Sequence, residues 1–66
     1  MLSARNQFKG IIKSVKLGQV MAEVVIEVGG LEVVSLISRG SAEGLNLREG
    51  DEATAVIKAT EVMVDK

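Results

Sequence analysis

The clearest pattern in the chain is the alternation of apolar and polar positions across residues 20–38. Two runs there, residues 20–28 and Leu31–Ser38, flank a Gly29-Gly30 pair. Alternation with a period of two predicts β-strands, and paired glycines suit a tight hairpin turn because both accept positive φ. We therefore expect a β-hairpin whose more apolar face, centred on Val24, points into the core.

A further strand is predicted before this hairpin, over residues 6–17. β-Branched Ile and Val recur there among basic residues, and Gly10 is expected to form a bulge or bend. Gly18 and Gln19 follow as a turn. The first half of the chain therefore predicts three consecutive strands.

The second half predicts one short helix and one long or two short strands. Ser41 is placed to cap the helix by accepting a backbone hydrogen bond. Glu43 falls in the first turn, where the helix dipole favours negative charge. Residues 53–64 follow as strand, broken near residues 59–60 if the run forms two. Three strands, a helix and two strands are the order of an all-β, five-stranded, OB-like barrel with the helix between strands 3 and 4.

Length and composition add an expectation about assembly. Sixty-six residues form one domain, residues 1–66, near the lower size limit for independent folding. The chain has no Cys and no His, so neither disulfides nor a structural zinc is expected to stabilise it. The second face of the hairpin also carries apolar residues, including Met21, Val34 and Leu36. Since a sheet with two apolar faces normally has both covered, we expect a homo-oligomer.

Charge and hydropathy narrow the classes of partner. Eight basic and nine acidic residues are interspersed, and the chain has one Phe and no Trp or Tyr. Binding of single-stranded nucleic acid uses aromatic platforms in a positive groove, so nucleic acid is not the expected ligand. No apolar run approaches the roughly 18 residues that span a bilayer, and the N-terminal stretch is polar. We expect a cytoplasmic protein with no membrane partner.

Catalytic groups are scarce in the sequence. The absence of His and Cys removes the commonest general base and the thiol nucleophile. A Ser–Lys pair, Ser38 or Ser41 with Lys58, lacks the Gly-x-Ser-x-Gly context of a nucleophile elbow. The acidic residues show no metal-ligand spacing, and no phosphate-binding Gly-rich loop is present. We predict that the protein is not an enzyme and has no catalytic residues or directly bound metal cation.

Three short stretches are instead rich in hydrogen-bond donors. They are SARN at residues 3–6, SRGS at residues 38–41 and IKAT at residues 57–60. A cluster of donors without acceptors is typical of an anion site. Taken alone, each stretch has a plainer interpretation, as a frayed terminus, a helix cap and a strand end with a surface lysine.

The stretches recur together in a known pattern. Four segments show the pattern: SARNQFKG at 3–10, AEVVIEVGGLEVVSLIS at 22–38, LNLREGD at 45–51 and AVIKATEVMV at 55–64. Together they resemble the Mop family of molybdate- and tungstate-binding proteins, also called molbindins. The resemblance spans residues 2–66. It implies an OB-like barrel, a homohexamer, and tetrahedral oxyanions bound at interfaces between subunits, with no organic cofactor.

The resemblance also implies which residues bind the oxyanion. The primary set is Ser3, Ala4, Arg5, Asn6, Ser41, Lys58 and Ala59. The secondary candidates are Ser38 and the turn residues Gly18, Gln19 and Val20. We expect subunit packing to place residues 3–6 beside residues 57–60 of a neighbour.

The chemistry of these residues agrees with the implied ligand. Molybdate and tungstate are dianions at neutral pH, which accept hydrogen bonds and donate none, so amides, hydroxyls and an ammonium suit them. The predicted function is non-catalytic storage or homeostasis of molybdate or tungstate. The alternatives are a ligand-sensing or protein-interaction OB module and, with less support, a nucleic-acid-binding OB domain.

Overall fold

The computed structural model describes residues 2–66 and has the architecture of a small, mainly β domain. Its elements are β1 (Asn6–Leu17), β2 (Met21–Val28), β3 (Leu31–Ser38), α1 (Arg39–Gly44), β4 (Glu52–Ile57) and a 3₁₀ turn (Ala59–Glu61). The strands form one sheet in the order β3-β2-β1-β4, with all neighbours antiparallel. The three strands and the hairpin predicted for the first half are confirmed.

The long strand β1 pairs with a different strand along each of its halves. Its first half pairs with β4, from Asn6 opposite Ile57 to Ile11 opposite Glu52. Its second half pairs with β2 and ends with Leu17 opposite Ala22. One strand therefore joins the hairpin to the C-terminal part of the chain.

The predicted bulge at Gly10 is wrong in position. The register of β1 against β2 shifts between Ile12 and Ser14, whereas Gly10 pairs regularly with Ala53. Gly10 is required for close approach, since a Cβ there would meet the Glu27 carbonyl oxygen and lie 2.8 Å from Cγ2 of Val28. The glycine lets the end of β2 cross tightly over β1.

The core lies on the inner face of the curved sheet. Ile12 and Val24 are almost fully buried, with Ile26 and Ala55 packed beside them. These residues follow the alternation read from the sequence, because successive side chains on a strand point to opposite faces. On the outer face Val34 and Leu36 remain exposed, so one chain leaves the apolar second face uncovered, as expected.

Helix α1 begins earlier than predicted. Its N-cap is Ser38 rather than Ser41, and the helix runs from Arg39 to Gly44 with no acidic residue in its first turn. Glu43 lies one turn later and forms an ion pair with Arg39, 3.4 Å apart. Ser38 acts as the cap because β3 ends there in an extended conformation, which is the backbone geometry a cap residue requires.

The predicted fifth strand is not formed in the described chain. After β4 the 3₁₀ turn redirects the backbone, with the Glu61 N–H donating to the Lys58 carbonyl at 2.9 Å. Residues 62–66 belong to no strand and are exposed. The sheet of residues 2–66 is consequently four-stranded and open, a form consistent with an OB-like fold. No helix within these residues is long and apolar enough to cross a membrane.

Candidate functional site

The two ends of the chain meet beside the first residues of β1. Because Asn6 pairs with Ile57, the residues before β1 lie next to those after β4. Together they line a cavity of about 610 Å³. Its lining residues are Leu2, Ser3, Ala4, Arg5, Val56, Lys58, Ala59 and Thr60. The cavity therefore brings together the primary candidates Ser3, Ala4, Arg5, Lys58 and Ala59, whereas Asn6 does not line it.

One chain supplies both sides of this cavity. Residues 3–6 were expected beside residues 57–60 of a neighbour, whereas in this structure they lie beside residues 57–60 of their own chain. Antiparallel pairing of β1 with β4 brings the two stretches together within a single chain. The pairing was not foreseen because 34 residues, 18–51, separate the two strands and form elements of their own.

Several backbone donors beside this cavity are not used within the described chain. Gln7 bends the chain before β1, since its side-chain amide donates to the Ala4 carbonyl at 2.6 Å and its N–H donates to the Arg5 carbonyl at 3.1 Å. The N–H groups of Ser3, Ala4 and Arg5 form no hydrogen bond within residues 2–66. They are available to an external acceptor.

Lys58 supplies positive charge at the same place. It is exposed and precedes the 3₁₀ turn, with extended backbone. Among residues 2–66 the ion pairs are Lys9–Glu52, Lys13–Glu32 and Arg39–Glu43. Lys58 and Arg5 are in none of them, so neither charge is neutralised by a carboxylate of the described chain.

The remaining candidates form a second cluster at the start of α1. The Ser38 hydroxyl accepts from the Ser41 N–H at 3.0 Å and donates to the Ser41 hydroxyl at 2.8 Å. The Arg39 N–H donates to the Val20 carbonyl at 2.8 Å, and its guanidinium donates to the Gly18 carbonyl at 3.2 Å. The turn of residues 18–20 is thus fixed beside the two serines.

Arg39 also belongs to this cluster, although it was not among the candidates predicted from the sequence. It stands between Ser38 and Ser41, within the SRGS stretch already singled out for its donors. The sequence signal that could have identified Arg39 was its position inside this donor-rich run. Its three contacts, to Gly18, Val20 and Glu43, show that it ties the turn to the helix.

The two clusters lie at opposite ends of β1. Ser38 pairs with Met21 beside the Leu17 end of β1, whereas the chain-end cavity adjoins Asn6. Eleven residue steps separate the ends of β1, which is about 36 Å along the strand. Neither Ser38 nor Ser41 lines the cavity that holds Lys58, so one chain does not bring either serine of the predicted pair to that lysine.

Other reactive groups are sparse in the part of the chain that is described. Residues 2–66 contain no cluster of three or more His, Cys, Asp or Glu side chains suited to a metal ion. Glu32 raises the pKa of Lys13, first through a hydrogen bond and then through its charge. Both side chains are exposed and lie on the hairpin side of the sheet, away from the chain-end cavity.

Comparison with known proteins places the chain in a family. Residues 2–64 match the TOBE domain model. Molybdenum-pterin-binding protein 3 of Clostridium pasteurianum is 56% identical over 64 residues, which cover 96% of this chain and 94% of that one. The solved structure of MopII from the same organism superposes with a TM-score of 0.94 at 49% identity, covering both chains fully.

A third relative is described by its ligand. The cytoplasmic molybdate-binding protein ModG, solved with molybdate bound, is 42% identical with a TM-score of 0.85. The match covers 89% of this chain and 43% of ModG. The family model, the identity over nearly the full length and the shared fold agree: the chain belongs to the TOBE-domain family, in its Mop group.

Proposed function

We propose that this protein binds molybdate without catalysis, in sites that neighbouring copies of a homo-oligomer complete together. The observation that carries the proposal is the chain-end cavity. It combines unused N–H groups at residues 3–5 with the unpaired ammonium of Lys58. The relatives named for molybdenum or molybdate support the same ligand.

The donor set suits a dianion that cannot donate a proton. Each hydrogen bond to a charged group contributes roughly 1.5–3 kcal/mol. Four or five such bonds, less the cost of desolvating the dianion, are compatible with micromolar binding, about −8 kcal/mol. The residues that line the cavity include no Asp or Glu, so no lining carboxylate repels the ligand.

A second copy would supply the hydroxyl that one chain lacks. Ser41, with Ser38 beside it, lies at the far end of β1 from Lys58. A site containing both needs α1 of one subunit to approach the chain-end cavity of another. We propose a homohexamer as the assembly, with Asn6 and Ala59 completing the primary site and the turn of residues 18–20 at a second kind of site.

The cellular role we propose is storage or homeostasis of the oxyanion in the cytoplasm. The description of ModG as a cytoplasmic molybdate-binding protein supports this location. Tungstate has the same charge and nearly the same size, so the donor set should accept either anion. Neither nucleic acid nor an organic cofactor is needed for this role.

The proposal is tested by titrating the protein with molybdate alone. We expect Lys58→Ala to weaken binding by about 2–4 kcal/mol, the loss typical when one partner of a desolvated charge pair is removed. The matched control is Lys16→Ala, which removes an equally exposed lysine from β1 outside the cavity. Isothermal titration calorimetry measures both affinities.

Three results would contradict the proposal. Equal affinities for the wild type and Lys58→Ala would remove Lys58 from the site. No binding of molybdate alone by the wild type would favour the molybdenum-pterin named for the Clostridium relative. Native mass spectrometry showing monomers in the presence and absence of molybdate would exclude a site shared between copies.

A further inference from the structure

Helix α1 has a sequence too weak to hold the helix in place by itself. It has six residues, Arg39–Gly44, whereas isolated helices shorter than about 12 residues are marginal in water. Two of the six are glycines, and a glycine in a helix interior costs about 1 kcal/mol relative to Ala. Within the six described residues of α1, Ala42 alone is buried. Contacts outside the helix must therefore fix where α1 lies.

Arg39 stands where a helix least favours a cation. It is the first residue of α1, at the end where the helix dipole favours negative charge and disfavours positive charge. Glu43, one turn later, offsets part of this cost, because its carboxylate lies 3.4 Å from Nε of Arg39. A residue that departs from a local preference, yet is held by several partners, is expected at a functional site.

The guanidinium of Arg39 uses two of its nitrogens to join two segments. Nη1 donates to the Gly18 carbonyl at 3.2 Å, while Nε pairs with Glu43. The planar fork of arginine presents these donors in fixed relative directions, which a single ammonium does not. The Arg39 backbone N–H adds a third link, to the Val20 carbonyl at 2.8 Å. Arg39 therefore clamps the turn of residues 18–20 to the start of α1.

The turn itself is anchored in the sheet. The Gly18 N–H donates to the Met21 carbonyl at 2.8 Å, which ties the end of β1 to the start of β2. A Cβ at position 18 would lie 2.9 Å from that same carbonyl oxygen, so the close approach requires glycine. Because the turn is fixed between two paired strands, the clamp fixes α1 relative to the sheet.

Ser41 is the donor that this clamp places. Its hydroxyl oxygen accepts from the Ser38 hydroxyl at 2.8 Å, and its N–H donates to the Ser38 oxygen at 3.0 Å. A serine hydroxyl carries one proton of its own, and within residues 2–66 the Ser41 hydroxyl donates that proton to no acceptor. The proton is therefore available to an oxygen from outside the chain.

We propose that Arg39 is a positioning residue of the molybdate site. By clamping α1 to the turn of residues 18–20, it holds the Ser41 hydroxyl in the direction from which it donates to an oxyanion oxygen. This inference rests on the proposed function, in which Ser41 of one copy completes the site of another. A donor that is already fixed loses less conformational entropy when the ligand binds. Loss of the clamp should therefore weaken binding without unfolding the subunit.

A double-mutant cycle, measured by calorimetric titration with molybdate, tests whether Arg39 acts through Ser41. Arg39→Met keeps the length of the side chain and removes its donors, and we expect it to weaken binding by about fivefold or more. Combined with Ser41→Ala, the same change should weaken binding by less than about twofold, because the hydroxyl that the clamp positions is already absent. Arg48→Met is the matched control and should bind as the wild type does, since Arg48 is exposed and its guanidinium bonds Asn46 instead of the turn.

Arg39→Lys distinguishes the clamp from simple attraction of an anion by positive charge. Lysine keeps the charge but does not donate from two fixed nitrogens, so we expect this variant to bind molybdate about as weakly as Arg39→Met. Wild-type affinity in Arg39→Lys would overturn the positioning role, because charge alone would then be sufficient. Losses from Arg39→Met that are equal with and without Ser41→Ala would overturn it too, since Arg39 would then act independently of Ser41.

Amide hydrogen exchange without ligand separates the clamp from the proposed function. In Arg39→Met we expect the protection factors of the Gly18 and Arg39 N–H groups to fall by about fivefold or more, because local opening then breaks fewer bonds. Protection at Val24, in the buried core, should stay at the wild-type level. Unchanged protection at Gly18 and Arg39 would overturn the clamp whether or not molybdate binds. Failure of the wild type to bind molybdate is read in the separate titration and would overturn the proposed function.

Discussion

The hairpin core and the chain-end region of this small protein differ in burial and in how many of their polar and apolar groups find partners within the chain. In the core, Ile12 and Val24 are 1% and 2% exposed, and they pack with Ile26 and Ala55 in one cluster. At the chain ends, residues 2–5 and 58–66 are almost all exposed, with donors and apolar groups that the chain itself does not satisfy. The core is thus formed by contacts within the chain, whereas the proposed binding and assembly depend on chain-end groups that those contacts leave free.

This difference predicts that stability and function respond to different residues. Substitutions in the core should lower the free energy of unfolding and affect binding only through loss of folded protein. Substitutions at the chain ends should leave the fold of each subunit intact and change affinity. The following variants test that separation, beginning with the largest expected effect, and all unfolding measurements are compared at equal subunit concentration.

Ile12→Ala should cause the largest loss of stability. Ile12 is buried at the centre of the core, and removing three of its carbons leaves a cavity that costs about 2–5 kcal/mol. Urea unfolding followed by circular dichroism measures the loss. Leu31→Ala, at a position that is 72% exposed, is the control and should change stability by no more than about 0.5 kcal/mol. Equal effects would mean that the core is not where stability is concentrated.

The core was also the part that the sequence predicted best. Alternation across β2 and β3 indicates the buried face, because shifting either strand by one residue would expose its apolar set. The fifth strand was predicted from the same pattern and failed. Alternation continues through Val62 and Val64, but alternation alone does not show that a segment has a neighbouring strand to pair with.

Gly10→Ala should have the next largest effect. Its added Cβ would collide with the Glu27 carbonyl oxygen and lie 2.8 Å from Cγ2 of Val28, so β2 must shift, at a cost of roughly 1–3 kcal/mol. Gly44→Ala is the matched control, since nothing lies within 4 Å of a Cβ there, and its helical position favours Ala by about 1 kcal/mol. Unfolding in urea should therefore move in opposite directions for the two variants. A neutral Gly10→Ala would mean that β2 does not depend on this close approach.

The candidate site was predicted by residue type but not by arrangement. Donor chemistry singled out Ser3 and Lys58, whereas the pairing of β1 with β4 that unites them links distant parts of the chain. The cap was misassigned for a related reason. Ser38 and Ser41 have the same hydroxyl, and only the extended backbone at Ser38 decides which one caps the helix.

Ser38→Ala and Ser38→Asp separate capping from anion binding. Ser38→Ala removes the acceptor for the Ser41 N–H and should cost about 0.5–2 kcal/mol in the free energy of unfolding. Aspartate also caps helices well, so Ser38→Asp should keep stability near that of the wild type. If the cluster around Ser41 contacts molybdate, the added carboxylate should weaken binding by at least tenfold in calorimetry. Wild-type affinity in the aspartate variant would place the oxyanion elsewhere.

The smallest effect is expected from the exposed ion pair between Lys13 and Glu32. Glu32 raises the pKa of Lys13 above its ordinary value of 10.5. The stabilisation is therefore fully present below that value and is lost as the pH rises through the folded-state pKa. Because both side chains are solvated, the gain is reduced by screening and side-chain entropy.

Thermal melts of Lys13→Met against wild type at pH 7 and pH 11.5 measure this pair. We expect a small decrease in Tm at pH 7 that shrinks towards pH 11.5, as the wild-type ammonium loses its proton, and that shrinks again in 1 M salt. Lys16→Met is the control, with no ion pair among residues 2–66. A difference that persists at pH 11.5 would assign the effect to packing of the Lys13 stem. Molybdate affinity should stay unchanged in both variants, since neither lysine lines the chain-end cavity.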